Sequence, residues 1–343
     1  MAAVDNRVMS IASQAPNPAS ALCRFLEARL PHRGLIAEEW ARQADETPWS
    51  GIAVEEDDRR SLGLAAEYRI GLDLASTPGY WNLLSFLSPM ECNSLLRGAG
   101  YRPANYEHAA DTGTRDPLLL EWVRDGRPSG LGEAQRITLV ACWGMTQAHE
   151  LADSYNPVSV EMRRSLLAHV SSHLRWSHHS ADRRGVIDAL SHLWQGYLRH
   201  GREQLGTLGE RVVLAPELAD GFGVADMVVG RSLVEIKTVL EPTKGLEHWL
   251  NQLLGYALLD WFDALRIDTV ALYLGWQAKL MTMPVTELLA VSTTGPTPAL
   301  EPLRADFRQA IQADVDQTHQ WRLNKRYPPP IARAPAAELG TPT

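Results

Sequence analysis

Val224-Ala225-Asp226-Met227-Val228-Val229-Gly230-Arg231-Ser232-Leu233-Val234-Glu235-Ile236-Lys237 is a pair of β-rich runs separated by Gly230-Arg231. A two-residue turn at that pair makes a hairpin, because glycine supplies the positive φ that tight hairpins require. Val229 then faces Ser232, and counting back along both strands sets Asp226 directly opposite Glu235. Side chains alternate faces along a strand, so Lys237 joins the two acids. Three ionisable groups are thereby predicted on one face of two otherwise apolar strands, with Val228 and Leu233 sharing that face.

Opposed Cβ atoms in such a pair lie about 4.5–5.5 Å apart. Two carboxylates at about 5 Å repel by roughly 3 kcal/mol at an effective dielectric of about 20. Stability alone gives a chain no reason for this placement, whereas a divalent cation removes the repulsion. Mg²⁺ or Mn²⁺ takes oxygen ligands and keeps several waters, so Asp226, Glu235 and the backbone carbonyl of Ile236 form a sufficient set. A cation there activates water and offsets charge on a transferring phosphoryl group, with Lys237 placed to assist. The competing reading is a half-exposed hairpin in which Glu235 and Lys237 are solvated partners.

Outward from the hairpin, the text after residue 180 reads as helix 183–205, strands 211–215, 224–229 and 232–239, helix 247–262, and strands 267–274 and 278–283. That order predicts an α/β mixed sheet flanked by helices, α+β for the chain overall. A helix over 300–324 precedes a Pro- and Ala-rich tail expected to be disordered over 328–343. Before residue 180 the text is mainly helical, with candidates at 21–30, 36–43, 60–72, 80–87, 117–124, 133–154 and 158–176. The organisation expected is a flexible leader over 1–20, a helical domain of unknown role over 21–180, and the sheet-bearing domain over 181–327.

Composition narrows the function classes. Of 343 residues, 45% are hydrophobic and 22% charged, which is globular and not disordered. The three cysteines lie far apart without a C-x-x-C pair, which argues against thiolate zinc and fits a reducing cytoplasm. No apolar run is long enough for a membrane span, and no export signal is expected. The net charge of −8 points away from broad phosphate neutralisation, so any nucleic-acid contact must be local and cation-assisted or shared with a protein partner. No Walker loop or dinucleotide fingerprint is present.

Asp226 followed by Glu235-Ile236-Lys237 resembles the signature of the PD-(D/E)xK nuclease superfamily, with Ala225 in place of the proline. Gln252-Leu253-Leu254-Gly255-Tyr256, on the next helix, resembles the Q-x-x-x-Y motif of the RecB- and Cas4-like branch. The resemblance implies a restriction-endonuclease-like fold over roughly 183–283 and a metal-dependent nuclease acting on DNA, RNA less so. It implies roles in repair, recombination or defence, with Gln252 and Tyr256 holding the nucleic-acid backbone and ordering the site. It also implies an acidic or histidine residue on the helix before the first core strand, for which Glu203 is the candidate metal ligand, beside His192, Gln195 and Arg199, with Glu210 second. The alternative is a nuclease-fold binding or interaction subunit, working with a protein partner or as a homo-oligomer, with weak or no catalysis.

Other features read as structural. His169, His173, His178 and His179 lack the Cys or acid that would complete a zinc set. The tryptophans read as packing, with Trp249, one turn before Gln252, the best candidate for stacking on a base.

Overall fold

The computed structural model describes residues 10–46, 51–84, 87, 89–104, 117–128, 130, 132–154 and 185–325. Its helices are α1 (Ile11–Gln14), α2 (Ala21–Arg29), α3 (Gly34–Asp45), α4 (Glu56–Leu74), α5 (Trp81–Leu84), α6 (Pro89–Gly98), α7 (Glu133–Ser154), α8 (Val186–Gly196), α9 (Arg202–Gly206), α10 (Leu246–Leu259), α11 (Val285–Ser292) and α12 (Leu300–Lys325). A π turn, Tyr197–Gly201, joins α8 to α9. The strands are β1 (Tyr101–Pro103), β2 (Trp122–Arg124), β3 (Val212–Leu214), β4 (Glu217–Leu218), β5 (Gly223–Val224), β6 (Met227–Val229), β7 (Ser232–Lys237), β8 (Thr269–Leu274) and β9 (Lys279–Pro284).

Five strands form one mixed sheet in the order β3-β6-β7-β8-β9. Every neighbouring pair is antiparallel except β7 and β8, which run parallel. A parallel pair cannot be joined by a hairpin; α10 is the crossover, and it is buried along nearly its whole length. The β6–β7 hairpin turns at Gly230, whose φ is +61°, and a Cβ there would run into the Leu208 carbonyl.

Strand alternation divides the interior into two cores, one on each face of the sheet. Met227, Val229, Val234, Ile236, Ala271 and Tyr273 pack with α4, α7 and α8. Val228, Leu233, Val270, Leu272 and Leu274 pack with α2, α3, α10, α11 and α12. Fully burying each valine, leucine, isoleucine or methionine among them contributes roughly 1.5–3 kcal/mol, so the helix–sheet–helix sandwich rests on both faces.

Both cores draw on residues from before and after position 180, the boundary expected between two domains. Residue 180 itself, the helix expected at 158–176 with its histidines, and the tail over 328–343 lie outside the described residues. The leader expected to be loose is ordered from Ser10 onward. Ser10 caps α1, Ile11 is fully buried, and the Ile11 N–H donates to the Phe222 carbonyl at 3.1 Å. The helix expected at 117–124 is instead one 3₁₀ turn followed by β2, which pairs with β1. Trp122 is buried there, its indole N–H donating to the Pro117 carbonyl, and that burial overrides local helical preference.

Candidate functional site

The register of β6 and β7 pairs Met227 with Val234, Val228 with Leu233 and Val229 with Ser232. This is the register expected, and its continuation brings Asp226 to the level of Glu235. The ladder itself stops at Met227, because the chain bends at Asp226 and its preceding strand, β5, pairs with β4 in a separate small sheet. Past that bend β7 has no main-chain partner from β6, and the Asp226 side chain replaces it. The Ile236 N–H donates to Asp226 Oδ2 at 2.6 Å. The break in the expected strand 224–229 therefore positions the carboxylate.

Glu235 is 2% exposed. Its Oε1 accepts from Lys237 Nζ at 2.6 Å and from Gln252 Nε2 at 2.8 Å. Gln252 also donates to the Tyr256 hydroxyl at 2.9 Å, as the four-residue spacing on α10 allows. Glu235 Oε2 is buried with no partner. An acceptor left bare in the interior is costly, typically about 1–3 kcal/mol and more for a charged group. Gln252 and Tyr256 are themselves buried; Gln252 contacts Glu235 directly, and Tyr256 reaches it through Gln252.

A third acid arrives from α4. Glu67 makes no hydrogen bond among the described residues, and its carboxyl is held well above the usual carboxylate range by burial, then by Asp226 and Glu235, with Lys237 opposing. Burial, then Glu235, push Asp226 up to about 8 against the pull of Lys237 and the Ile236 N–H. Burial alone would lower the Lys237 ammonium, but Glu235, then Asp226 and Glu67, hold it above its ordinary value. Three carboxyl groups thus share one field, with one lysine inside it. Close approach of α4 is set by Gly63, where a Cβ would stand 2.7 Å from Thr238 Oγ1, just past the end of β7.

Tyr80 completes this wall. It is 1% exposed, its hydroxyl has no partner, and its backbone sits at φ +61°, a strained conformation for a bulky residue. The hydroxyl lies over Gly71, one turn beyond Glu67 on α4, in a space a Cβ would fill. Burial, then Glu67, raise its pKa well above the ordinary phenol value.

Neither Glu67 nor Tyr80 stood out in the sequence. Glu203, the expected acid, is exposed on α9, and no contact among the described residues joins it to Asp226 or Glu235. Its neighbour Gln204 explains why: it bonds Ala278 O and Leu280 N and so pins α9 to β9, the sheet edge two strands from β7. Glu210 is exposed as well. Trp249, the candidate for base stacking, is 6% exposed and packed over Gly245.

Among the described residues no three His, Cys, Asp or Glu side chains converge closely enough to cage a cation. The donor set does fit a hard cation that keeps most of its waters, because Glu235 Oε2 is bare, Asp226 stands beside it and the Ile236 carbonyl is the intervening main-chain oxygen. Also among the described residues, no helix is long and apolar enough to cross a membrane. No protein-family model, no curated protein and no solved structure matches the chain.

Proposed function

We propose that this chain is a Mg²⁺- or Mn²⁺-dependent phosphodiesterase acting on nucleic acid, DNA in preference to RNA, of the PD-(D/E)xK type. The observation that carries the reading is Glu235 Oε2, a buried acidic oxygen without a partner, beside an Asp226 whose pKa is raised to about 8. Asp226, Glu235 and the Ile236 carbonyl would hold the cation, with Glu67 the next oxygen donor in reach of the same field. When bound, the cation supplies an activated water and neutralises charge that builds on the phosphoryl oxygens.

The protein's own groups do the rest. Lys237, 20% exposed beside Glu235, keeps its Nζ proton and would orient water or donate to a phosphate oxygen. Gln252 fixes Glu235 Oε1 and leaves Oε2 free to hold a cation, and Tyr256 fixes Gln252. Burial of all three excludes bulk water and strengthens every charge interaction inside. The RecB- and Cas4-like resemblance supports roles in repair, recombination or defence.

A second reading, a nuclease-fold binding subunit, draws on the acidic net charge and on the Lys237–Glu235 ion pair, which partly satisfies the site without a metal. One assay separates the two. Full-length protein is incubated with single-stranded DNA, duplex DNA and RNA in Mg²⁺, Mn²⁺ or EDTA, beside Glu235→Ala and Lys237→Ala. Cation-dependent cutting lost in both variants supports the enzyme. No cutting of any substrate, together with no Mg²⁺ or Mn²⁺ binding by calorimetry, establishes the subunit reading instead.

A further inference from the structure

On the opposite face of the sheet from Gln252, α4, α7, α8 and β8 line a cavity of about 10 Å³, with Arg69, Trp194 and Tyr273 among apolar side chains. Arg69 is 1% exposed, and its guanidinium stacks on the Trp194 ring at 3.6 Å. One of its nitrogens, Nη2, donates to Gln135 Oε1 at 2.7 Å. Its Nε and Nη1 have no partner, nor does the buried indole nitrogen of Trp194. A guanidinium remains charged at any pH a protein survives, so a full positive charge sits here with donors unmet.

No acid nearby is free to answer that charge. Asp73, one turn further along α4, is fully buried and already taken. It accepts from Arg202 Nε at 2.9 Å, from Arg202 Nη2 at 2.8 Å and from the Tyr197 hydroxyl at 2.7 Å. Burial pushes the Cys142 thiol up to about 12, against the pull of Arg69, so it is no thiolate. Arg69, Arg202 and Asp73 together leave one positive charge uncompensated in the core.

We infer that this cavity is a binding site for a small monatomic anion, chloride or bromide, held by Arg69 Nε and Nη1 with the Trp194 indole N–H alongside. The chemistry selects this ligand over water. A water that accepts from the guanidinium must still donate its own two protons, and among the lining side chains only the Tyr273 hydroxyl could accept one. A halide only accepts, which matches a wall of donors. At about 10 Å³ the room takes one small sphere, which excludes phosphate, sulfate and carboxylates. The Tyr273 hydroxyl is also buried without a partner, but it lies against Gly201 of the π turn and is not assigned to the ligand.

The test is urea unfolding of the full-length chain in EDTA, in sodium chloride or bromide against sodium gluconate of equal ionic strength. EDTA keeps the outcome independent of any cation at Asp226 and Glu235. Above the dissociation constant, the folding equilibrium constant should rise about tenfold for each tenfold increase in halide. Arg69→Met should remove that dependence, and a bromine anomalous peak should stand beside Arg69 in wild-type crystals soaked in bromide. Equal stability of wild type in chloride and gluconate, with no bromine peak, would overturn the inference whether or not Arg69→Met folds.

Discussion

Replacing Asp226 by Asn tests the electrostatic argument without disturbing the fold, because an amide oxygen can still accept from the Ile236 N–H. The Asp226 carboxyl rises from an ordinary 3.8 to about 8 in the cation-free fold, through burial first and Glu235 second. Between about pH 5 and pH 7 the folded protein then holds a proton at this site that the unfolded chain has released, so stability falls as pH rises. The slope is about 1.4 kcal/mol per pH unit, or about 3 kcal/mol across that window. The stabilisation is whole below the unfolded pKa near 4 and is lost as pH passes the folded value. Asp226→Asn has no such proton, so the wild-type and variant stabilities should diverge by about 3 kcal/mol from pH 5 to pH 7, with the variant favoured at the higher pH. Glu67 titrates in the same field, so the slope belongs to the group of acids and not to Asp226 alone. Saturating Mg²⁺ should flatten the wild-type curve, because a bound cation holds the carboxylates ionised at every pH in the window. Urea unfolding at the two pH values, in EDTA and in Mg²⁺, measures all of this. Parallel wild-type and variant curves in EDTA, agreeing within about 0.5 kcal/mol across the window, would refute the placement of Asp226 in a buried acidic field.

Further outcomes are expected. Lys237→Gln should lower cleavage by about 100-fold or more, while calorimetry still detects Mg²⁺, because the carboxylates remain. Glu67→Gln should weaken Mg²⁺ binding measured by calorimetry, and Glu203→Gln, at an exposed position near β9, should leave it unchanged. Gln252→Ala should destabilise the fold by about 1–3 kcal/mol in urea by stripping a donor from buried Glu235. Arg202→Ala should lose about 3–5 kcal/mol in the same assay, since Asp73 would stay buried with only the Tyr197 hydroxyl.

What could be read from the sequence divides along physical lines. The hairpin, its register and the Asp226, Glu235 and Lys237 set follow from a turn residue and a period of two, both local properties. The crossover helix and its Gln252–Tyr256 pair follow from helical spacing. The helix at 133–154 was readable for the same reason. The break at Asp226 was not, because it depends on β5 leaving to pair with β4, a tertiary choice. Trp122 as a strand residue depended likewise on pairing with β1.

Glu67 illustrates the harder case. Helical periodicity detects a helix with one wet face, and charged residues on such a helix are read as solvated. From Ala65 to Leu74 every residue of α4 is buried except the half-buried Glu67, since the sheet and Tyr80 cover one side and α7 and α8 the other. Its charges must therefore each be answered inside the protein. Asp73 has Arg202 and Tyr197; Arg69 has the Gln135 amide and the Trp194 ring, with two donors still unmet. Glu67 faces Asp226, Glu235 and a lysine already engaged by Glu235. A helix that places an acid among two other acids gains nothing in stability from it, and the raised pKa of Glu67 records that loss. The same rigid segment carries the unanswered positive charge of Arg69 two residues on, pointing into the core. The two unanswered groups of α4, an acid at the sheet end and a guanidinium in the interior, are what the proposed metal ion and the inferred halide would each answer.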